Sequence, residues 1–201
     1  VQYLNFLKGA VRFDFGTSYF TKEVVSDALF RCFKVTVKLA CMSFAFAAVI
    51  GIPCGIFSAV QRGKGIDTAV MILSIVGVSA PAFWVAIILQ IVFGLKLNIL
   101  PISGFDSAAS YILPSVALGA RYAGSMARIT RTSMLEVLNQ DYIRTARAKG
   151  AKRWSVILKH ALKNAMIPIV TLVGTDFGYM LTGSMLIEKV FSIPGLSLIH
   201  I

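Results

Sequence analysis

The sequence predicts an all-α, polytopic transmembrane protein, and three observations carry that expectation. Hydrophobic residues make up 57% of the 201-residue chain and charged residues only 14%, against about 25% charged in a soluble domain. The mean hydropathy is +0.77. The apolar residues gather into runs close to the ~20 residues that a helix needs to cross a bilayer, and turn residues and charges separate the runs.

The chain reads as an extracytoplasmic or interfacial segment over 1–35 followed by a transmembrane region over 36–201. The opening stretch Val1–Arg31 mixes aromatics with charges and lacks the basic start, apolar core and small-residue cleavage site of a signal peptide. A first span is expected over 36–60, with Lys38 near its outer end, where a long stem can snorkel. Gly51, Pro53 and Gly55 interrupt it, as membrane helices tolerate when neighbours satisfy the freed backbone. A second span is expected over 68–95, with Asp67 at its mouth and Pro81 near its middle. Pro53 and Pro81 read as packing kinks. The third, over 111–127, is rich in Gly, Ala and Ser, which points to close helix contact rather than lipid exposure. The fourth covers 165–186.

The net charge of +11 is unevenly placed. Between Arg131 and Lys163 lie Arg144, Arg147, Lys149, Lys152, Arg153 and Lys159, against the acids Glu136 and Asp141. The positive-inside rule places this segment, 128–164, in the cytoplasm. Arg62 and Lys64, two crossings away, then also fall inside, whereas the stretch 98–110, which has no Lys or Arg, falls outside.

Within the basic segment, Asp141–Gly150 reads as a two-turn helix, with Asp141 as a start signal and Gly150 as a left-handed stop. Ile143, Ala146 and Gly150 share a face, while Arg144, Arg147 and Lys149 lie mostly elsewhere, and Ala146 and Ala148 allow another surface to come close. A second helix over 152–164 carries Trp154, Ile157, Leu158, Ala161, Leu162 and Ala165 at helical spacing and runs into the fourth span. A helix tied in this way to a span could transmit a push from a cytoplasmic partner. A basic juxtamembrane helix that binds anionic lipid is the other reading of the same periodicity.

Three features exclude other classes. Membrane runs on both sides of the helix–turn–helix pattern argue against a nucleic-acid binder. The histidines, His160 and His200, lie outside the spans, so no catalytic group or metal site is expected. No phosphate-cradling Gly-x4-Gly-Lys-Ser/Thr sequence occurs, so ATP is not bound in that way. Cys32, Cys41 and Cys54 read as small apolar residues. Two ionisable residues fall inside expected spans, Arg121 and Asp176. Charges at that depth need partners, so the two are expected to pair or to face a shared aqueous path. A site for a ligand ammonium at Asp176 is a further reading.

Thr130–Leu138, Asp141–Gly150 with its Arg144-Thr145-Ala146-x3-Gly150 core, and His160–Pro168 together resemble the cytoplasmic loop of binding-protein-dependent ABC permeases. The likeness is to the dipeptide/oligopeptide/nickel branch, and within it to the first of two paired permeases. Gly183, Glu188, Phe191 and Pro194-Gly195-Leu196 resemble the family's segment after the following span, and Asp14–Ser18 its outer loop. Arg144 and Thr145 stand where the general loop has Glu-Ala.

The resemblance implies a coupling helix at Asp141–Gly150 seated on an ATPase. Tyr142, Ile143 and Ala146 would pack into the ATPase groove, and Arg144 and Arg147 would pair at its rim. It also implies a second permease subunit, ATPase subunits that use ATP and Mg, an extracytoplasmic solute-binding protein, surrounding lipid and a bacterial or archaeal inner membrane. This chain would bind no cofactor itself. Peptide, nickel chelate and glutathione-like cargo all remain open. The chain reads as a fragment of a larger permease, since a first and a last span of the family pattern are not found in it.

Overall fold

The computed structural model describes residues 2–19, 21–104 and 107–197. Those residues form helices and turns, with one isolated antiparallel bridge between Thr17 and Val24. The last residues of the expected transmembrane region, 198–201, lie outside the described residues.

After a short helix α1 (Gln2–Val11), the chain turns into α2 (Val25–Val60). At 36 residues, α2 starts well before the expected boundary and passes position 36 unbroken. Pro53 sits inside it without ending it. Lys38 lies over the Tyr111 ring at 4.2 Å, so its charge meets an aromatic face as well as water.

Pro81 acts differently from Pro53. The expected straight span 68–95 is two helices, α3 (Gly65–Ser79) and α4 (Ala82–Leu89), the latter continued by a π-helical turn over Gln90–Lys96. Their axes turn by 102°. Proline disfavours helical backbone in the residue before it and removes a donor, and Ala80 is extended at φ −71°, ψ 129°. A break on this scale makes a broken span or a re-entrant loop rather than a kinked crossing.

The central element is α5 (Ile112–Leu138), which packs on α2, α3, α4 and α8. The expected third span is its first half. Its backbone contacts depend on missing side chains. A Cβ on Gly51 would lie 2.6 Å from the Ala123 carbonyl, and one on Gly55 would lie 2.5 Å from both the Ala127 carbonyl and Thr130 Cβ. Gly124 approaches the Ser74 backbone in the same way. The small residues of this segment therefore face protein, as their type suggests.

Beyond α5 come α6 (Asp141–Ala148), α7 (Arg153–Ser155), a π-helical turn (Val156–Leu162) and α8 (Lys163–Gly183), the last three forming one helix of 31 residues. By length and composition, α2 and Arg153–Gly183 can each cross a membrane, and the bent pair makes a third candidate. Helix α5 is long enough, at 27 residues, but less apolar; its neighbours rather than lipid cover much of it.

The chain then forms α9 (Met185–Val190) and a closing turn. Glu188 is 1% exposed. Its carboxylate accepts from Thr36 Oγ1 at 2.6 Å, Ser184 Oγ at 3.0 Å and the Ser197 amide at 3.1 Å. Thr36 Oγ1 accepts in turn from the Leu196 amide at 3.0 Å. This network binds the turn after Pro194 to α2 and satisfies a buried charge with convergent donors. Gly195 lies against the carboxylate with no room for a Cβ.

Candidate functional site

Two regions carry the chemistry that the sequence singles out. The first is the cytoplasmic segment. Gln140, not Asp141, is the residue before the first turn of α6, and it offers no side-chain cap. Asp141 sits in the first turn and lies 3.5 Å from Arg144. Its carboxylate therefore meets the positive end of the helix instead of bonding an amide. Gly150 ends the helix as expected, at φ +77°. The Gly150 amide donates to the Arg147 carbonyl at 3.0 Å and the Ala151 amide to the Ala146 carbonyl at 3.2 Å. These paired bonds form a Schellman stop.

The inner face of α6 is not free. Ile143 is fully buried in a cluster with Met134 of α5, Val156 and Ile157 of the π turn, and Ala161 and Ala165 of the long helix. Ala146 is half-buried against the same cluster. Ile143 therefore covers this chain's own core rather than facing a partner, whereas Ala146 is only half-buried there. Tyr142 stays 43% exposed, and its hydroxyl accepts from Asn164 Nδ2 at 3.1 Å, which ties α6 to the base of α8. The exposed residues of α6 are Asp141, Tyr142, Arg144, Thr145, Arg147 and Ala148, and the exposed Lys149 follows them.

The apolar stripe after Gly150 also divides. Ile157, Ala161 and Ala165 are buried, but Trp154 and Leu158 are half exposed. The π turn widens the helical repeat, so a stripe spaced for an α-helix cannot stay on one face. Trp154 reaches the Phe57 ring edge-on at 6.3 Å.

Near this segment lies an ion pair that sequence reasoning did not assemble. Asp67 accepts from Arg131 Nε at 2.6 Å and Nη2 at 2.9 Å. It also accepts from Ser58 Oγ at 2.5 Å and the Gly63 amide at 2.9 Å. One carboxylate thus joins the ends of α2 and α3 to α5. A lone acid at the mouth of a span, beside a basic loop, was the available signal; its partner lies 64 positions away.

The second region is a cleft of about 540 Å³ between α5 and α8. Arg121, Tyr122, Ser125 and Arg128 line it from α5, and Asp176 and Tyr179 from α8. The structure brings Arg121 and Asp176 to one cleft. Among the described residues, however, no ion pair joins them, and Asp176 Oδ2 is buried without a hydrogen-bond partner.

The comparisons with known proteins agree with this architecture. Residues 51–200 match the family model described as the binding-protein-dependent transport system inner membrane component. The chain belongs to that family. It is 45% identical over 195 residues to the glutathione transport system permease protein GsiC of Escherichia coli strain K12, which covers 97% of this chain and 64% of that protein. The Salmonella typhi protein of the same description is 44% identical over 196 residues, covering 98% and 64%. The chain thus spans about 64% of the length of these relatives. Among solved structures, the fold resembles that of the MetNI methionine ABC transporter in inward-facing form, with TM-score 0.71, 23% identity, and 88% of this chain and 80% of that one covered. It also resembles an amino acid ABC transporter solved with histidines, at TM-score 0.59 and 19% identity, covering 98% and 80%. At these identities the structures speak to the fold alone. Family membership sets aside the alternative of a membrane protein outside this class and makes the chain part of an inner membrane component of a binding-protein-dependent transport system.

Proposed function

We propose that the complete protein is the membrane-spanning permease subunit of an ATP-driven importer for small peptides, with glutathione as the leading cargo class. The relatives' description motivates the cargo, since glutathione is itself a tripeptide. In this reading a second permease completes the path, ATPase subunits bind ATP and Mg, and an extracytoplasmic binding protein delivers the solute.

The observation that carries the reading is the mounting of α6. Ile143 and the Tyr142–Asn164 bond fix it to the base of α8, and the Schellman stop fixes its end. Arg144, Thr145, Arg147, Ala148 and Lys149 remain outward for a cytoplasmic partner. A displacement of α6 then moves α8 as one body, because interdigitated apolar side chains resist independent sliding. Arg62, Arg147 and Arg153 surround an adjoining cleft of about 520 Å³. They supply cations for acidic groups at the rim of the ATPase or for lipid headgroups.

The test is ATP hydrolysis stimulated by glutathione-loaded binding protein, measured on the full-length permease reconstituted with its partners. Ala148→Glu places a charge on the outward face without entering the core. Stimulation is expected to fall at least tenfold while the assembly still inserts in the membrane. Full stimulation in this variant would remove α6 as the contact.

A further inference from the structure

We infer that the cleft between α5 and α8 is a binding subsite for a small peptide with free ends: Arg121 and Arg128 take carboxylate, and Asp176 takes the ammonium group. The inference rests on the reading of the chain as an importer's permease and specifies which chemistry the path recognises.

The first argument is electrostatic. An ionisable side chain inside a span costs about 2.5–3.5 kcal/mol on insertion scales, and proteins meet that cost by pairing. This chain does so fully at Asp67 and Arg131, where four donors converge on one carboxylate. At Arg121 and Asp176, inside the spans, and at Arg128 just beyond them, it does not. Both arginines are exposed in the cleft, and no hydrogen bond or ion pair to a protein carboxylate is found for either among the described residues. The Asp176 Oδ2 atom is shielded from water yet unbonded. Asp176 as a residue is only half-buried and lines the cleft, so a ligand N–H can reach its carboxylate there and recover the roughly 1–3 kcal/mol that a carboxylate left without a donor costs.

The second argument is shape. Binding sites for small ligands run from about 300 to 1,000 Å³, and this cleft measures about 540 Å³. Arg121, Ser125 and Arg128 follow one another at helical spacing on a single face of α5. Arg121 and Arg128 are therefore separated by about 10 Å along the axis at ~1.5 Å per residue. An extended tripeptide spans about the same length at ~3.3–3.6 Å per residue. Tyr122 and Tyr179 add walls that present both an apolar ring and a hydroxyl.

The third argument is net charge. Two arginines facing one aspartate leave the cleft with an excess of positive charge. That favours a zwitterionic or monoanionic peptide and disfavours a free divalent cation. The neighbouring face of α8 agrees with a polar path. Thr171 and Thr175 are exposed there but bond their own helix carbonyls at 3.1 and 3.2 Å, and Gly174 and Gly178 border open space.

The experiment uses the full-length transporter in lipid nanodiscs with the binding protein left out, and equilibrium dialysis against radiolabelled glutathione. N-acetylglutathione lacks the ammonium, and glutathione monoethyl ester lacks one carboxylate. Wild type is expected to prefer glutathione at least tenfold over each derivative. Asp176→Asn should erase the preference over the N-acetyl form and leave binding of that form unchanged. Arg121→Gln should erase the preference over the ester. Equal weakening of all three ligands by either variant would assign these residues a structural role and overturn the inference. So would a wild type that does not discriminate. If Asp176→Asn fails to assemble, the wild-type comparison and Arg121→Gln decide the matter. Stimulated ATP hydrolysis is measured in parallel. Intact stimulation without discrimination removes the subsite alone, whereas absent stimulation also removes the importer reading beneath it.

Discussion

Asp67 with Arg131, and Asp176 with Arg121, present the same two functional groups on helices of one bundle, yet the structure treats them in opposite ways. At the cytoplasmic rim the carboxylate of Asp67 is closed: both oxygens are bonded, and Arg131 grips it bidentately. In the cleft the carboxylate of Asp176 keeps one oxygen unbonded, and its arginine stands apart in a space large enough for a ligand. The difference teaches how to tell a brace from a site. A brace spends its charges on the protein itself. A site leaves them unspent at a place where apolar surroundings make that costly.

The largest test of this contrast removes a partner from the closed pair. Asp67→Ala leaves Arg131 partly buried without its counter-ion and is expected to destabilise the full-length protein by about 3 kcal/mol, read as unfolding in graded SDS mixed micelles. A loss below about 0.5 kcal/mol would show that the pair does not brace the bundle. The next test addresses the scaffold between the two pairs. Gly55→Val forces side-chain atoms into the Ala127 carbonyl and Thr130 and should cost about 2 kcal/mol through overpacking in the same assay. The smallest effect belongs to the open pair. Asp176→Asn should lie within about 0.5 kcal/mol of wild type, because no bond within the protein is lost. Equal losses at Asp67 and Asp176 would erase the distinction.

The segment Asp141–Gly150 shows how far the sequence reaches. Helix length and the glycine stop were legible, since both depend on residues close in the chain. The facing of the helix was not. Ile143 is inward because Met134, Val156 and Ile157 fold back over it, and periodicity marks an apolar face without saying whether it covers the chain's own core or a partner.

Along the spans, composition decided that the chain is helical and membrane-embedded. These properties follow from residue type summed over local windows. Tertiary structure decided what each interruption does. Pro53 lies within α2, whereas Pro81 separates α3 from α4 by 102°. Proline removes a donor in both places, but the residue before Pro81 is extended while the helix runs on through Pro53. The same holds for the charges. The sequence by itself determined that Arg121 and Asp176 need partners. Only the packing of α5 against its neighbours decided which acid is bonded and which stays open, because a hydrogen bond depends on ångström distances between residues far apart in the chain.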